Sequence, residues 1–287
     1  MLWKRGRRSE NVVGASSGGG SPTGKGLGIG GLLIVVVVAL FFGKNPAELL
    51  PLLDQIDGPG QSTATTDSTP QAVPETETTD FVRAILGSTE DVWSALFESG
   101  RYPSPQLVLF AGAVASACGH ATSAVGPFYC SGDQHIYLDT GFFDDMQRQL
   151  NAPGEFARAY VIAHEVGHHI QNLTGVMQRT GQLRAQGQAM EGADGLSVRQ
   201  ELQADCYAGV WANHAQRQLQ WLEAGDIESA LNAATAIGDD RLQQQSRGRV
   251  VPDSFTHGSS AQRVRWFKVG METGDTKRCD TFAAQRL

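Results

Sequence analysis

The chain has 287 residues, a formal net charge of −7 and 41% hydrophobic residues. That length suits one domain of ordinary size or two small ones, with enough apolar residues for a core. The acidic balance argues against nucleic acid as a partner, because a phosphate-binding surface draws on surplus lysine and arginine.

Residues 1–26 carry Lys4, Arg5, Arg7, Arg8 and Lys25 against a single Glu10, then become rich in Gly and Ser. This composition predicts a disordered tail. Residues 27–43 are uncharged and include Leu32-Leu33-Ile34-Val35-Val36-Val37-Val38. They reach the short end of the membrane-spanning range of about 17–25 residues, so a single transmembrane anchor is expected. The positive charges before it predict a cytoplasmic N-terminus and an extracytoplasmic remainder, in the periplasm or at the cell surface. The segment ends in Leu40-Phe41-Phe42-Gly43, which lacks the small-residue site of a cleaved signal peptide, so the anchor is expected to stay. Residues 44–79 form the next expected unit, a linker. Its first part could make a short amphipathic piece, and Gly58 to Thr79 has the Ser, Thr, Pro and acidic content of a flexible connection. The folded domain is expected over 80–287.

Within that domain, Phe81 to Phe97 reads as a helix and Gln106–Phe110 as a strand. Ala111–Gly126 reads as a small-residue loop. Pro127–Cys130 and His135–Asp139 read as two strands joined at Ser131-Gly132-Asp133, a hairpin whose edge could pair with an extended peptide. A helix follows Asn151-Ala152-Pro153-Gly154 and runs to about Leu173. Gly175–Gly195 reads as a surface loop, Val198 to Gln218 and Ile227–Ile237 as helices, and Gln243–Val251 as loop. Ser259–Thr273 is the last helix expected, with Ser259 or Ser260 as N-cap. The fold class is therefore α+β, mostly helical with a small sheet and preceded by one transmembrane helix.

The chemistry concentrates in Ala163-His164-Glu165-Val166-Gly167-His168-His169. Phe156, Tyr160, Ala163, Gly167 and Ile170 recur at helical spacing, which places this stretch on a helix. Residues four apart share a face, so His164 and His168 can aim two imidazoles at one point, an arrangement that suits zinc. Glu165 lies partly to one side, where a general base beside a zinc-activated water belongs. Gly167 inside the helix costs about 1 kcal/mol against Ala, which a close helix–helix or helix–backbone contact would explain.

Two histidines leave a catalytic zinc one protein ligand short. Glu201 and Asp205, four apart on the Val198–Gln218 helix, supply candidates. Glu201 is placed as the third ligand, and Asp205 as acceptor from the far nitrogen of a ligating histidine. No third histidine follows at the metzincin distance. In Thr256-His257-Gly258-Ser259-Ser260, His257 is a candidate donor to the oxyanion of a tetrahedral intermediate, with Arg263 as a second. Cys118, Cys130, Cys206 and Cys279 form no C-x-x-C pair, so a thiolate metal site is not expected. The even count suits two disulfides in an oxidising compartment. Three pairings are available, the simplest being Cys118 with Cys130 and Cys206 with Cys279.

His164-Glu165-x-x-His168, then Glu201-x-x-x-Asp205, then Thr256-His257-x-Ser resembles the glutamate-liganded zinc peptidases, in particular the membrane-associated group that includes the CAAX-prenyl-protease type. The chain looks closer to the bacterial family called "putative neutral zinc metallopeptidases". The hallmarks are Ser116-Ala117-Cys118-Gly119, Gly126-Pro127-Phe128-Tyr129-Cys130, Tyr137-Leu138-Asp139-Thr140-x-Phe142-Phe143 and Glu201-Leu202-Gln203-Ala204-Asp205-Cys206-Tyr207-Ala208-Gly209. The resemblance spans most of 80–287 and the anchor arrangement. It implies a zincin-like domain with one Zn2+ per chain held by His164, His168 and Glu201, and Glu165 as base. The related membrane group usually has Pro after its histidine, where this chain has Gly258.

The function expected is a zinc-dependent endopeptidase acting on a protein or peptide substrate. The alternatives are a non-catalytic scaffold of the cell envelope on the same fold, and a zinc amidase acting on cell-wall peptides.

Overall fold

The computed structural model describes residues 1–15, 73–97, 102–150 and 152–287. The transmembrane segment expected at 27–43, the amphipathic piece at 44–56 and most of the linker lie outside the described residues.

In chain order the strands are β1 (Val12–Gly14), β2 (Gln106–Phe110), β3 (Ala113–Ser116), β4 (Gly119–Thr122), β5 (Phe128–Cys130) and β6 (His135–Asp139). The helices are α1 (Glu77–Leu96), α2 (Phe142–Leu150), α3 (Glu155–Leu173), α4 (Val176–Ala185), α5 (Leu196–Leu219), α6 (Asp226–Ala236), α7 (Asp239–Arg247) and α8 (Ser260–Thr273). This is an α+β arrangement, mostly helical with a small sheet. The main sheet has strand order β1-β2-β6-β5. β1, β2 and β6 are parallel, and β5 closes one edge antiparallel to β6, with Tyr129 opposite Ile136. β2 and β6 are buried along nearly their whole length, as parallel strands covered on both faces are.

The buried core runs between the sheet and the helices. Phe156, Tyr160, Ala163, Val166 and Ile170 on α3 meet Leu202, Ala208 and Trp211 on α5. Gly167 fits this contact closely. A Cβ there would lie 3.0 Å from both the Cα and the carbonyl oxygen of Ala204 on α5. The interior glycine is therefore where two helix backbones approach, and its propensity cost is offset by packing. On α8, Ser259 forms a reciprocal capping box with Gln262. Cys118 pairs with Cys130, tying the β3–β4 turn to the edge strand, and Cys206 pairs with Cys279, tying α5 to the C-terminal tail.

The structure departs from the sequence reading in several places. Ala111–Gly126 contains the β3–β4 hairpin, whose Ala, Ser and Gly residues carry little strand signal. Gly175–Gly195 contains α4, whose exposed, Gln- and Arg-rich face shows no apolar stripe. The polar Asp239–Arg247 segment is helix α7, and Phe142–Leu150, to which no element was assigned, is α2.

The largest correction concerns residues 1–15, which belong to the folded body. Trp3 is buried edge-on against Phe81 and donates from Nε1 to Glu155 Oε1 at 2.7 Å, at the start of α3. Arg7 reaches Glu90, Arg8 binds Asp80, and β1 extends the sheet beside β2. A chain that crosses a membrane once cannot put its N-terminus on one side and add that N-terminus to a sheet on the other. Among the described residues, moreover, no helix is long and apolar enough to cross a membrane. The expectation of a single-pass protein with a cytoplasmic N-terminus and an extracytoplasmic domain is therefore not upheld. Of the basic residues that suggested it, Arg7 pairs with Glu90 and Asp91, and Arg8 with Asp80. The two disulfides still point to an oxidising compartment.

Candidate metal and active site

α3 presents Val161, His164, Glu165 and His168 to a cleft of about 400 Å³, which is also lined by Tyr129 of β5, Glu201 of α5 and His257. α5 crosses α3 at Gly167, so Glu201, one turn before Asp205, comes to face both histidines. Nε2 of His164 lies 3.1 Å from one Glu201 carboxylate oxygen, and Nε2 of His168 lies 3.5 Å from the other. One ligand atom from each of the three residues falls within 4.8 Å of the other two. Ligands bound at about 2.0–2.1 Å in a tetrahedron sit roughly 3.3 Å apart, so this N, N, O set fits zinc, and among the described residues no fourth protein ligand joins it.

The far side of each imidazole is held. His164 Nδ1 lies 2.9 Å from Asp205 Oδ1, and His168 Nδ1 lies 2.9 Å from Gln171 Oε1. Both acceptors select the tautomer with hydrogen on Nδ1 and leave Nε2 for a metal. Gln171 is fixed in turn, since its amide donates to the Gln200 carbonyl and to Gln203. Asp205 is fully buried and accepts from Tyr160 and, through two guanidinium nitrogens at 2.8 Å, from Arg263.

The electrostatics follow from these contacts. Burial acts to raise the Asp205 carboxyl, but Arg263 and His164 outweigh it and hold it below the usual carboxylate range. Burial likewise opposes charge on Glu201, yet His168, His257 and the hydrogen bond from His164 bring it well below its ordinary value. His164 is desolvated, but Asp205 and then Glu201 push it up to about 10. The two carboxylates thus favour positive charge at this point, which a bound cation would supply. Glu165 moves the other way. Burial raises it, only partly opposed by the two histidines. Among the described residues its carboxyl has no hydrogen-bond partner, and it borders the cleft.

His257 also borders the cleft. Its Nδ1 meets Thr256 Oγ1 at 2.8 Å and Asp239 Oδ1 at 3.4 Å. Asp239, at the start of α7, collects the backbone amides of Thr256, His257 and Gly258 on Oδ2, so the whole loop hangs on one carboxylate. Gly258 has φ of +88° and its amide is one of those donors. Proline, with φ fixed near −65° and no N–H, fits neither condition. Arg263 differs from its expected role. Its guanidinium donates to Asp205 and Tyr160, so it braces the carboxylate behind His164.

The sequence reading missed the second layer. The neutral His169, lowered chiefly by burial, meets the Pro103 carbonyl with Nε2 and the Tyr129 hydroxyl with Nδ1. Asn172 donates to the same hydroxyl. Tyr129 thereby fastens the edge strand β5 to the metal-site helix. Its only trace in the sequence was a His and an Asn on the face of α3 next to the ligand face.

The chain matches the family described as "Putative neutral zinc metallopeptidase" over residues 1–282. It is 49% identical over 293 residues to "Uncharacterized protein YpfJ" of Escherichia coli K12, covering 98% of this chain and 99% of that protein. It is 48% identical over 216 residues to "Uncharacterized protein Rv2575" of Mycobacterium tuberculosis H37Rv, covering 72% of this chain and 71% of that protein. No solved structure matches. The full-length match, together with the His-His-Glu cluster at the centre of the fold, establishes that the chain belongs to the neutral zinc metallopeptidase family.

Proposed function

We propose that the protein is a zinc-dependent endopeptidase with Glu165 as general base. The observation that carries this reading is the pairing of a three-ligand set, joined by no fourth protein ligand among the described residues, with a buried carboxyl that has no hydrogen-bond partner among them and faces the same cleft. A structural zinc site is closed by four protein ligands and has no use for such a group. This favours catalysis over a scaffold role.

His164, His168 and Glu201 hold the metal. When bound, zinc supplies Lewis acidity toward the substrate carbonyl and brings the pKa of water to near 7. Glu165 takes a proton from the attacking water, and its raised pKa suits it to hold that proton and deliver it to the leaving amine. As the C–N bond breaks, the acyl carbon keeps the water oxygen and the amine leaves with the proton. His257, steadied by Asp239 and Thr256, donates to the oxyanion. The edge strand β5 offers backbone groups to an extended peptide, with Tyr129 holding that strand against α3.

The test is turnover of a mixed peptide library by the zinc-loaded full chain and its Glu165→Gln variant. Peptide cleavage by wild type, reduced about 10²–10⁴-fold in the variant, is the expected result. Equal cleavage by both would overturn Glu165 as base. Release of amides other than peptide bonds would move the assignment to an amidase.

A further inference from the structure

The two disulfides sit in different surroundings. Cys206 and Cys279 are both 0% exposed and lie in the main core, where Gln203 donates to the Cys279 carbonyl. Cys130 is also 0% exposed, but its partner Cys118 is half-buried and borders the cleft that holds Glu165 and the metal ligands. Thiol–disulfide exchange needs a thiolate to reach a sulfur, so access decides which bond is exchanged. Cys118 is the cysteine that offers it. Its bond also serves the cleft. The β3–β4 hairpin is a two-stranded sheet of its own, unpaired with the main sheet. Its ties to the body include a small apolar cluster, in which Val114 and Ala121 join Phe128 and Tyr137, and an exposed hydrogen bond from the Ala117 amide to Asp133. The Cys118–Cys130 bond is its covalent tie to β5, the three-residue edge strand that borders the cleft at Phe128 and Tyr129. β5 has a strand, β6, on one side only. Tyr129 fastens it to α3 through His169 and Asn172, and Cys130, the next residue, fastens it to the hairpin.

We propose that Cys118–Cys130 is a redox switch on the cleft: a dithiol reductant opens this bond selectively, which loosens the β5 wall and weakens peptide binding. The effect on peptides rests on the peptidase reading above, and the selective opening does not. A thiolate of the dithiol attacks Cys118 Sγ, the S–S bond breaks, and Cys130 leaves as a thiolate that takes up a proton. The second thiol of the reagent loses its proton and displaces Cys118 from the mixed disulfide. Two protein thiols result, and the reagent, two electrons poorer, becomes a disulfide. The oxidised reagent closes the bond again by the reverse exchange. Opening leaves the hairpin on its non-covalent ties and removes one of the two fasteners of β5. A strand already held in its pairing geometry loses less conformational freedom when a peptide joins it, so the closed form binds more tightly. Neither cysteine is a metal ligand, and the Cys206–Cys279 bond still ties α5 to the tail, so zinc stays in the open form.

The test treats the zinc-loaded full chain with dithiothreitol, traps free thiols with iodoacetamide at intervals and locates the label by peptide mapping. Cys118 and Cys130 should be labelled while Cys206 and Cys279 stay unlabelled. Opening of both bonds together, or of Cys206–Cys279 first, overturns the proposal. The open state is then fixed in the double variant Cys118→Ser, Cys130→Ser, and assayed without reductant on an extended peptide that wild type cuts. KM should rise about 10-fold with kcat and zinc per chain little changed, the pattern of lost uniform binding. An unchanged KM, or a loss of zinc, overturns the switch. If the double variant does not fold, wild type reduced with dithiothreitol, desalted and assayed at once takes its place, with zinc counted in the same sample. If no form cuts any peptide, the peptidase reading fails and amide hydrogen exchange decides the switch. Faster exchange at Phe128–Cys130 after reduction supports it, and equal exchange overturns it.

Discussion

Asp205 shows how much of this site depends on one buried side chain. It orients His164, accepts from Tyr160 and neutralises Arg263. Asp205→Asn keeps the volume but removes the charge, leaving Arg263 buried beside a neutral amide. Zinc affinity should fall about 10–100-fold, as it does when a ligand's supporting acceptor is lost. Thermal stability should fall as well, because breaking a buried ion pair costs about 3–5 kcal/mol. A chelator competition with unchanged affinity would contradict the orienting role. At this scale the sequence was informative where helix geometry alone decides. His164 and His168 share a face, as do Glu201 and Asp205, and the structure brings the first three together around one point. It was silent on partners fixed only by tertiary contact. Nothing local shows that Arg263 turns to Asp205, that Asp239 gathers the His257 loop, or that Tyr129 reaches His169.

α3 and α5 form the frame, and their crossing sets the distance from Glu201 to the histidines. Gly167→Leu would drive a side chain into Ala204. The expected outcome is a loss of about 1–3 kcal/mol or more from overpacking, together with lower zinc content as Glu201 is displaced. Thermal melting and metal analysis check both. Gly181 on α4 is the control, since a Cβ there meets nothing within 4 Å. Gly181→Ala should be neutral or stabilising by up to about 1 kcal/mol, with zinc unchanged. The long apolar-periodic helices were legible because burial imposes that period on them. α4 and α7 were not, because mostly polar helices lack the stripe. The β3–β4 hairpin was hidden by its small residues, and is tied to the edge strand by the Cys118–Cys130 bond that the cysteine count allowed.

The molecule as a whole differs most from its sequence at the N-terminus. A run of Lys and Arg reads as a tail because composition reports charge without its partners, and here Glu90, Asp91 and Asp80 supply them from α1. Asp80 is held below its ordinary value chiefly by the hydrogen bonds from Arg8. The unfolded chain therefore binds this proton more readily. The stability contributed is complete above about pH 4 and is lost as pH falls through the folded value, and it should not exceed about 1 kcal/mol because solvent screens a half-exposed pair. Wild type and Arg8→Ala should differ in stability at pH 7 and converge near pH 2. A difference that grows on acidification would contradict the pairing. The most direct measurement of the central claim is zinc per chain in the purified full-length protein and in His164→Ala, His168→Ala and Glu201→Ala, each verified as folded. One zinc in wild type and loss of tight binding in all three variants is the expected result. A folded wild type that takes up no zinc, or variants that all retain it, would contradict the site.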